Sequence, residues 1–203
     1  MYYCAEDSLS RAVARKLIEF VFGKLSLTEM GGDQGGNSTI RTKFAKYAIL
    51  AAHHPVLIIT DLDTEVCPPL LRSKWLLQSH RVDPLPENFI FCVAVREVES
   101  WLLSDRGSIS TFFGVSMALV PEDPESLVDP KKSVVDIARQ SRISHIKADI
   151  PPAHGSSSKV GLGYNSQLSK FVVEAWRPNV GRDHCLSLSR AIVRLEQVRQ
   201  RLA

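Results

Sequence analysis

Hydrophobic positions along the first half of the chain follow two alternating patterns, one typical of strands and one typical of helices. Strand-like runs lie at 2–5, 25–30, 54–63 and 89–95. Apolar residues at helical spacing lie at 8–22, 38–52, 69–79 and 96–105. The stretch from Val56 to Ile59 is apolar at every position, which is the pattern of a strand buried on both faces. This alternation predicts an α/β fold with a four-stranded, mainly parallel sheet flanked by helices.

Some helix ends can be recognised from the sequence. Asp7 or Ser8 can cap the start of the helix over 8–22, and Gly23 is suited to end it. The stretch GGDQGGN at 31–37 fits neither of the common phosphate-binding glycine patterns and predicts a plain loop. We expect Ser38 to cap the helix that follows.

The second half of the chain has a different composition. Residues 106–130 contain several prolines and predict loops, whereas 131–147, 165–176 and 186–202 predict helices. The stretch over 151–164 is rich in Gly, Ser and Pro and predicts a mobile loop. We therefore expect a core over 1–106 and a helical, loop-rich extension over 107–203, packed on that core.

Acidic residues lie at the carboxyl ends of three of the predicted strands or just after them. They are Glu6, then Asp61 and Asp63, and finally Glu97 and Glu99. Ligands of open parallel sheets collect at the carboxyl ends of the strands. Residues two apart on an extended chain point the same way, so Asp61 and Asp63 would repel each other unless a cation lies between them. A hard ion such as Mg²⁺ suits this donor set, although the pair could also cap a helix or begin a turn.

Two segments resemble a known family. Glu6 after a short strand, a Gly-rich turn and the run LIITDLD resemble a Toprim domain, which occurs in topoisomerases, primases and nucleases of the overcoming-lysogenization-defect (OLD) type. The segment VAVREVESWLLSD at 93–105 resembles, more narrowly, small bacterial stand-alone Toprim-like proteins with a Glu-x-Trp-Leu-Leu-x-Asp signature. Their genes often lie beside ATPase genes in phage-defence loci. The resemblance covers most of 1–105 and implies a Rossmann-like Toprim core.

The resemblance also implies a metal site. It places Mg²⁺ (or Mn²⁺) on Glu6, Asp61 and Asp63, with Glu97 or Glu99 as the next ligand. Two residues two apart on a helix diverge by about 200°, so these last two glutamates should not face one ion once the helix has begun. Glu99 is preferred because it belongs to the Glu-x-Trp signature. Glu6, Asp61, Asp63 and Glu99 are accordingly the expected catalytic residues.

The expected activity is metal-dependent cleavage of a nucleic acid, with DNA favoured over RNA and an ATPase as partner protein. The alternative is a non-catalytic binding or effector subunit of an ATPase complex, and a homo-oligomer is left open in either case. A phosphatase or receiver-like domain with Asp61 as nucleophile ranks last, because FIFCVAV at 89–95 has no hydroxyl or lysine at its end.

Cationic residues and the chain start add little to these expectations. Arg96, Lys132 and Lys159 are candidate substrate-binding residues, because a cation beside the site can neutralise phosphate charge. A net charge of +3 allows a nucleic-acid partner without requiring one.

The start MYYCAED lacks the layout of a signal peptide, and no apolar run reaches the roughly 20 residues of a membrane span, so we expect a cytoplasmic protein.

Overall fold

Four parallel strands form one sheet, which confirms the predicted α/β class. The structure, a computed structural model, describes residues 1–30, 36–79 and 84–202. The strand order in the sheet is β2-β1-β3-β4. The strands are β1 (Tyr2–Ala5), β2 (Thr28–Glu29), β3 (Val56–Asp61) and β4 (Phe89–Ala94). The helices are α1 (Ser8–Phe22), α2 (Gly36–Leu50), α3 (Pro68–Gln78), α4 (Val98–Leu103), α5 (Arg106–Phe113), α6 (Pro130–Arg139), α7 (Ser144–Asp149), α8 (Tyr164–Glu174), α9 (Pro178–Gly181) and α10 (Leu186–Leu202).

The sheet is covered by helices on both faces, which explains the continuous apolar run in β3. Leu57 and Ile59 join the core shared with α1, α8 and α10, and Val56 and Ile58 join the core shared with α2 and α3. All four side chains are fully buried. A parallel sheet covered in this way requires apolar residues at every position of a central strand.

The predicted ends of α1 are confirmed. The carboxylate of Asp7 accepts a hydrogen bond of 2.8 Å from the backbone N–H of Ser10, which satisfies one of the free donors at the helix start. Gly23 ends the helix with φ 72°, a conformation that glycine adopts without strain. The next helix begins at Gly36, two residues before the predicted cap at Ser38. Most of the predicted Gly-rich loop, 31–35, lies outside the described residues.

The loop-rich prediction over 106–130 misses one helix, because α5 occupies Arg106–Phe113. The predicted helix over 96–105 is also shorter, since α4 spans only Val98–Leu103. Asp105 separates the two helices. Its carboxylate accepts from the backbone N–H of Ser108 at 3.3 Å and so caps α5, and the guanidinium of Arg177 holds it at 2.7 Å.

The single helix predicted over 131–147 is two helices, α6 and α7. Ser141 breaks the run. Its hydroxyl donates to the backbone carbonyl of Phe113 and accepts from the N–H of Ile143 at 2.9 Å. A serine that bonds nearby backbone in this way competes with the helical hydrogen bonds.

The second half of the chain packs against the sheet through α10, which contacts β4 and α1, while α8 packs against α1. The stretch 151–164 passes close to α7, where the N–H of Gly161 donates to the carbonyl of Ile150 at 2.8 Å. A core over 1–106 with a separate extension stays a prediction. None of the helices in the described part of the chain combines the length and the apolar character of a membrane span.

Candidate functional site

The predicted acidic residues lie where the strand order reverses. From β1 the chain passes through α1 to β2 on one side, and then through α2 to β3 on the other side of β1. The helices diverge at such a switch point and leave a crevice outside the carboxyl ends of the two central strands. Glu6 directly follows β1 and Asp61 is the last residue of β3. The sheet topology therefore brings these two residues to one crevice.

Glu6 is fixed by the neighbouring strand. The hydroxyl of Thr60 and the backbone N–H of Asp61, the latter at 3.2 Å, both donate to Oε1 of Glu6. The register that pairs Ala5 with Ile59 places these groups side by side. Burial raises the pKa of Glu6 above its ordinary value, and the charge of Asp63 adds to that effect, although the two hydrogen bonds oppose it.

Asp61 is held at the start of α4. Its Oδ1 accepts a hydrogen bond of 2.9 Å from the backbone N–H of Val98. Burial raises the pKa of Asp61 well above its ordinary value, and the nearby charges of Glu99 and Glu6 raise it further, while Lys131 lowers it. Burial and the neighbouring carboxylates therefore outweigh the positive charge of Lys131 at this residue.

Asp63 lies on an exposed loop that β4 holds in place. Its φ is 52°, a conformation that aspartate tolerates better than most residues. The backbone N–H groups of Leu62 and Asp63 donate to the carbonyl of Arg96 at 2.9 and 3.0 Å. The side chain of Asp63 accepts no hydrogen bond from the described residues, so both its oxygens are free to bind a ligand from solution.

Glu97 and Glu99 both contact the ammonium group of Lys131, at 3.4 and 3.6 Å from Nζ. The expected divergence applies only within a helix. Because α4 begins only at Val98, Glu97 is an extended residue with φ −138° and the helical angle does not apply to the pair. The backbone N–H of Lys131 also donates to Glu97 at 3.0 Å.

Glu99 is the most deeply buried of the predicted site residues, with 1% exposure. Its Oε1 accepts a hydrogen bond of 2.9 Å from the hydroxyl of Tyr164 on α8, and its Oε2 has no partner among the described residues. Burial raises the pKa of Glu99 to about 7, with Lys131 opposing and Glu97 adding to the shift. Burial also acts to lower the pKa of Lys131, but the charges of Glu99, Glu97 and Asp61 outweigh it and raise that pKa.

We call Glu6, Asp61, Asp63, Glu97 and Glu99 the carboxylate cluster. Its all-oxygen donor set suits a hard divalent ion, and the unpartnered Oε2 of Glu99 is one buried oxygen that such an ion could satisfy. As the side chains stand, however, no three acidic, histidine or cysteine residues of the described ranges converge on one point as metal ligands do. The cluster therefore suits a metal in its donor chemistry, and the cation that contacts it in the structure is Lys131.

The three predicted substrate-binding residues divide into two groups. Arg96 donates from Nη1 to the backbone carbonyls of Glu65 at 2.6 Å and Asp63 at 3.3 Å, so it supports the loop that carries Asp63. Lys132 and Lys159 line one cavity of about 310 Å³ together with Lys131 and Arg139. Four cationic side chains thus line a cavity beside the carboxylate cluster. Lys131 lines this cavity and also contacts the cluster. Asp136 offsets part of this charge by pairing with Lys132 and with Arg139.

Sequence reasoning missed three residues that shape the site. Thr60 and Tyr164 orient Glu6 and Glu99, and Lys131 supplies the positive charge. Thr60 was visible as the one hydroxyl residue in the otherwise apolar run before Asp61. Neither Lys131 nor Tyr164 has a sequence signal that links it to Glu99, because the contacts depend on how α6 and α8 pack.

Comparison of the chain with protein-family models, with curated proteins and with solved structures finds no match.

Proposed function

We propose that this chain is a Mg²⁺-dependent Toprim-type nuclease that cleaves nucleic-acid phosphodiesters, in a phage-defence system with an ATPase partner. The observation that carries the proposal is the carboxylate cluster at the switch point of the sheet. Burial and mutual repulsion raise the pKa values of Glu6 and Asp61, and Asp63 adds an exposed carboxylate beside them. Clusters of titratable groups shifted in this way are typical of functional sites.

The residues that would hold the ion are Glu6, Asp61 and Asp63, with Glu97 or Glu99 as further ligands. When bound, Mg²⁺ would supply an activated water and charge neutralisation at the phosphate. The hydroxyl of Thr60 donates to one oxygen of Glu6, and the N–H of Val98 donates to one oxygen of Asp61. The second oxygen of each carboxylate is left for a ligand.

Other residues of the chain would act on protons and charge. Where Glu97 is the further ligand, Glu99, with a pKa of about 7, can take up or release a proton near neutral pH, which is the property of a general acid or base. Lys131 offers a positive charge at the border between the carboxylate cluster and the cationic cavity. Lys132 and Lys159 would bind the backbone of the nucleic acid, with DNA favoured over RNA.

The experiment is a cleavage assay on end-labelled single-stranded and duplex DNA and on RNA, with MgCl₂, MnCl₂ or EDTA. We expect the chain to cleave with metal and not with EDTA, and Asp61→Asn to abolish cleavage while the circular dichroism spectrum is unchanged. The matched control is Glu174→Gln, an exposed acid on α8 that lies outside the cluster. Cleavage by Asp61→Asn at the rate of the unmodified chain would contradict the proposal.

A second function, a non-catalytic subunit that binds nucleic acid for an ATPase, is favoured by one observation. Lys131 already gives Glu97 and Glu99 a cation, and no set of metal ligands is preformed among the described residues. This function predicts a mobility shift of DNA in EDTA, the same shift for Asp61→Asn, and no product with either metal.

A further inference from the structure

A groove of about 450 Å³ runs along the outer edge of β4. The strand order leaves β4 at the edge of the sheet, with β3 as its neighbour on the other side. The start of α3 forms one wall through Pro68 and Pro69, and α10 forms the other through Arg190 and Ala191. None of the carboxylate cluster lines this groove, so it is distinct from the site described above.

The floor of the groove is unpaired strand backbone. The N–H of Val56 donates to the carbonyl of Asn88, and that of Leu62 to the carbonyl of Ala94, so the even-numbered residues of β4 direct their backbone groups toward β3. Successive strand residues alternate, and therefore Phe91 and Val93 direct theirs outward. No described residue forms a hydrogen bond with these four outward groups.

At both ends of this unpaired stretch, the outward N–H group already donates a hydrogen bond within the chain. Before the groove, the N–H of Phe89 donates to the carbonyl of Pro86 at 2.8 Å. After it, the N–H of Val95 donates to the hydroxyl of Ser187 at 3.3 Å. The open length therefore suits a short extended segment of a few residues, each of which rises about 3.3 Å.

The charge of the groove is positive. Arg72, Arg190 and Arg194 line it, and Glu125 is the acidic residue among its lining. The carboxylate of Glu125 is engaged by the backbone N–H groups of Leu186 and Ser187 at 3.0 and 2.8 Å, at the start of α10. Its carboxylate forms no ion pair with Arg190 or Arg194 in the described part of the chain.

The two walls differ in chemistry, because two arginines lie on the α10 wall and the α3 wall carries two prolines and one arginine, Arg72. Side chains of an added strand would point alternately to the α10 wall, where Arg190 and Arg194 lie, and to the α3 wall, where the prolines lie beside the partly buried Phe91. We propose that the groove binds an extended segment of a partner protein, with acidic and β-branched apolar residues in alternation, as a fifth strand on β4. A second copy of this chain is disfavoured, because it would bring its own arginines against these.

The experiment begins with a phage-displayed library of random decapeptides, selected on the full chain. We expect enriched sequences that alternate acidic and β-branched residues. A fluorescein-labelled consensus peptide is then titrated against three variants by anisotropy. Arg190→Glu reverses an exposed groove charge, and Val93→Pro removes an outward N–H at a position where an edge strand tolerates proline. Arg142→Glu, an exposed arginine between α6 and α7, is the matched control.

We expect Arg190→Glu and Val93→Pro each to weaken binding by about tenfold, and Arg142→Glu to leave it unchanged. If Val93→Pro does not fold, amide exchange of the unmodified chain gives the same information, since the bound peptide should protect the amides of Phe91 and Val93. The proposal is overturned if the library yields no such sequences, if Arg190→Glu binds the peptide as tightly as the unmodified chain, or if those amides gain no protection. Sedimentation that shows a dimer dissociated by Arg190→Glu would assign the groove to a second copy instead.

Discussion

The ammonium nitrogen of Lys131 lies 3.6 Å from Oε1 of Glu99, and this contact joins α6 to α4 at the buried end of the carboxylate cluster. Glu99 is almost fully buried, whereas about a third of the Lys131 side chain is exposed. The lysine therefore brings positive charge from the cationic cavity to a carboxylate that solvent scarcely reaches. Lys131 is thus the cation that contacts this end of the cluster in the structure.

A first prediction concerns the pH dependence of stability. The pKa of Glu99 in the folded chain, about 7, lies above its ordinary value of 4.5, so the folded state keeps a proton that the unfolded state releases. This group's contribution is therefore favourable below about pH 4.5 and is lost as the pH rises toward 7. Glu99→Gln removes the titration, so its free energy of unfolding relative to the unmodified chain should rise by about 2 to 3 kcal/mol from pH 4.5 to pH 8.

Urea unfolding in EDTA at several pH values measures this difference. Glu174→Gln is the control, because it removes an exposed carboxylate of the same chain that lies outside the cluster. A difference for Glu99→Gln that does not change with pH would show that the carboxyl ionises normally in the folded state.

The parts of this site that the sequence predicted depend on local pattern. The apolar run before Asp61 predicts a central strand, and a residue at the end of such a strand must lie at the ligand-binding edge of the sheet. The contact between Tyr164 and Glu99 has no such local signal, because it requires α8 to pack beside α4. The starts of α4 and α5 were missed for a different reason. Glu97 and Asp105 occupy the positions before these helices within a stretch of uniformly helical composition.

A second prediction concerns the cationic cavity. Lys132→Glu with Lys159→Glu should weaken binding of DNA and reduce the slope of log K against log salt by about 1 to 2, because each lysine that contacts a phosphate releases roughly one counterion. Fluorescence anisotropy with a labelled oligonucleotide at several salt concentrations measures the slope. The double variant Lys24→Glu, Lys46→Glu changes the net charge equally at exposed positions outside the cavity and should leave the slope near its original value. Equal slopes for the two double variants would exclude the cavity as the contact.

A third prediction concerns the segment that carries Lys159. A Cβ at Gly161 would lie 2.2 Å from the backbone carbonyl oxygen of Asp149 and 2.4 Å from that of Pro151, so Gly161→Ala must displace backbone. We expect a loss of about 1 to 3 kcal/mol in the free energy of unfolding, as for other overpacked sites. Gly107→Ala is the control, because it lies within α5 with only Arg177 near its new methyl group, at 3.7 Å, and should stabilise the helix slightly. Equal stability of the two variants would mean that 151–164 does not pack against α7 in solution.

Calorimetric titration with Mn²⁺ measures whether the carboxylate cluster holds a divalent ion. The chain should bind Mn²⁺ with an affinity that Asp61→Asn lowers by about a hundredfold or more, since that substitution removes a charged ligand at the centre of the cluster. Glu174→Gln should bind as the unmodified chain does. Absence of Mn²⁺ binding by the unmodified chain, or equal binding by Asp61→Asn, would contradict the account.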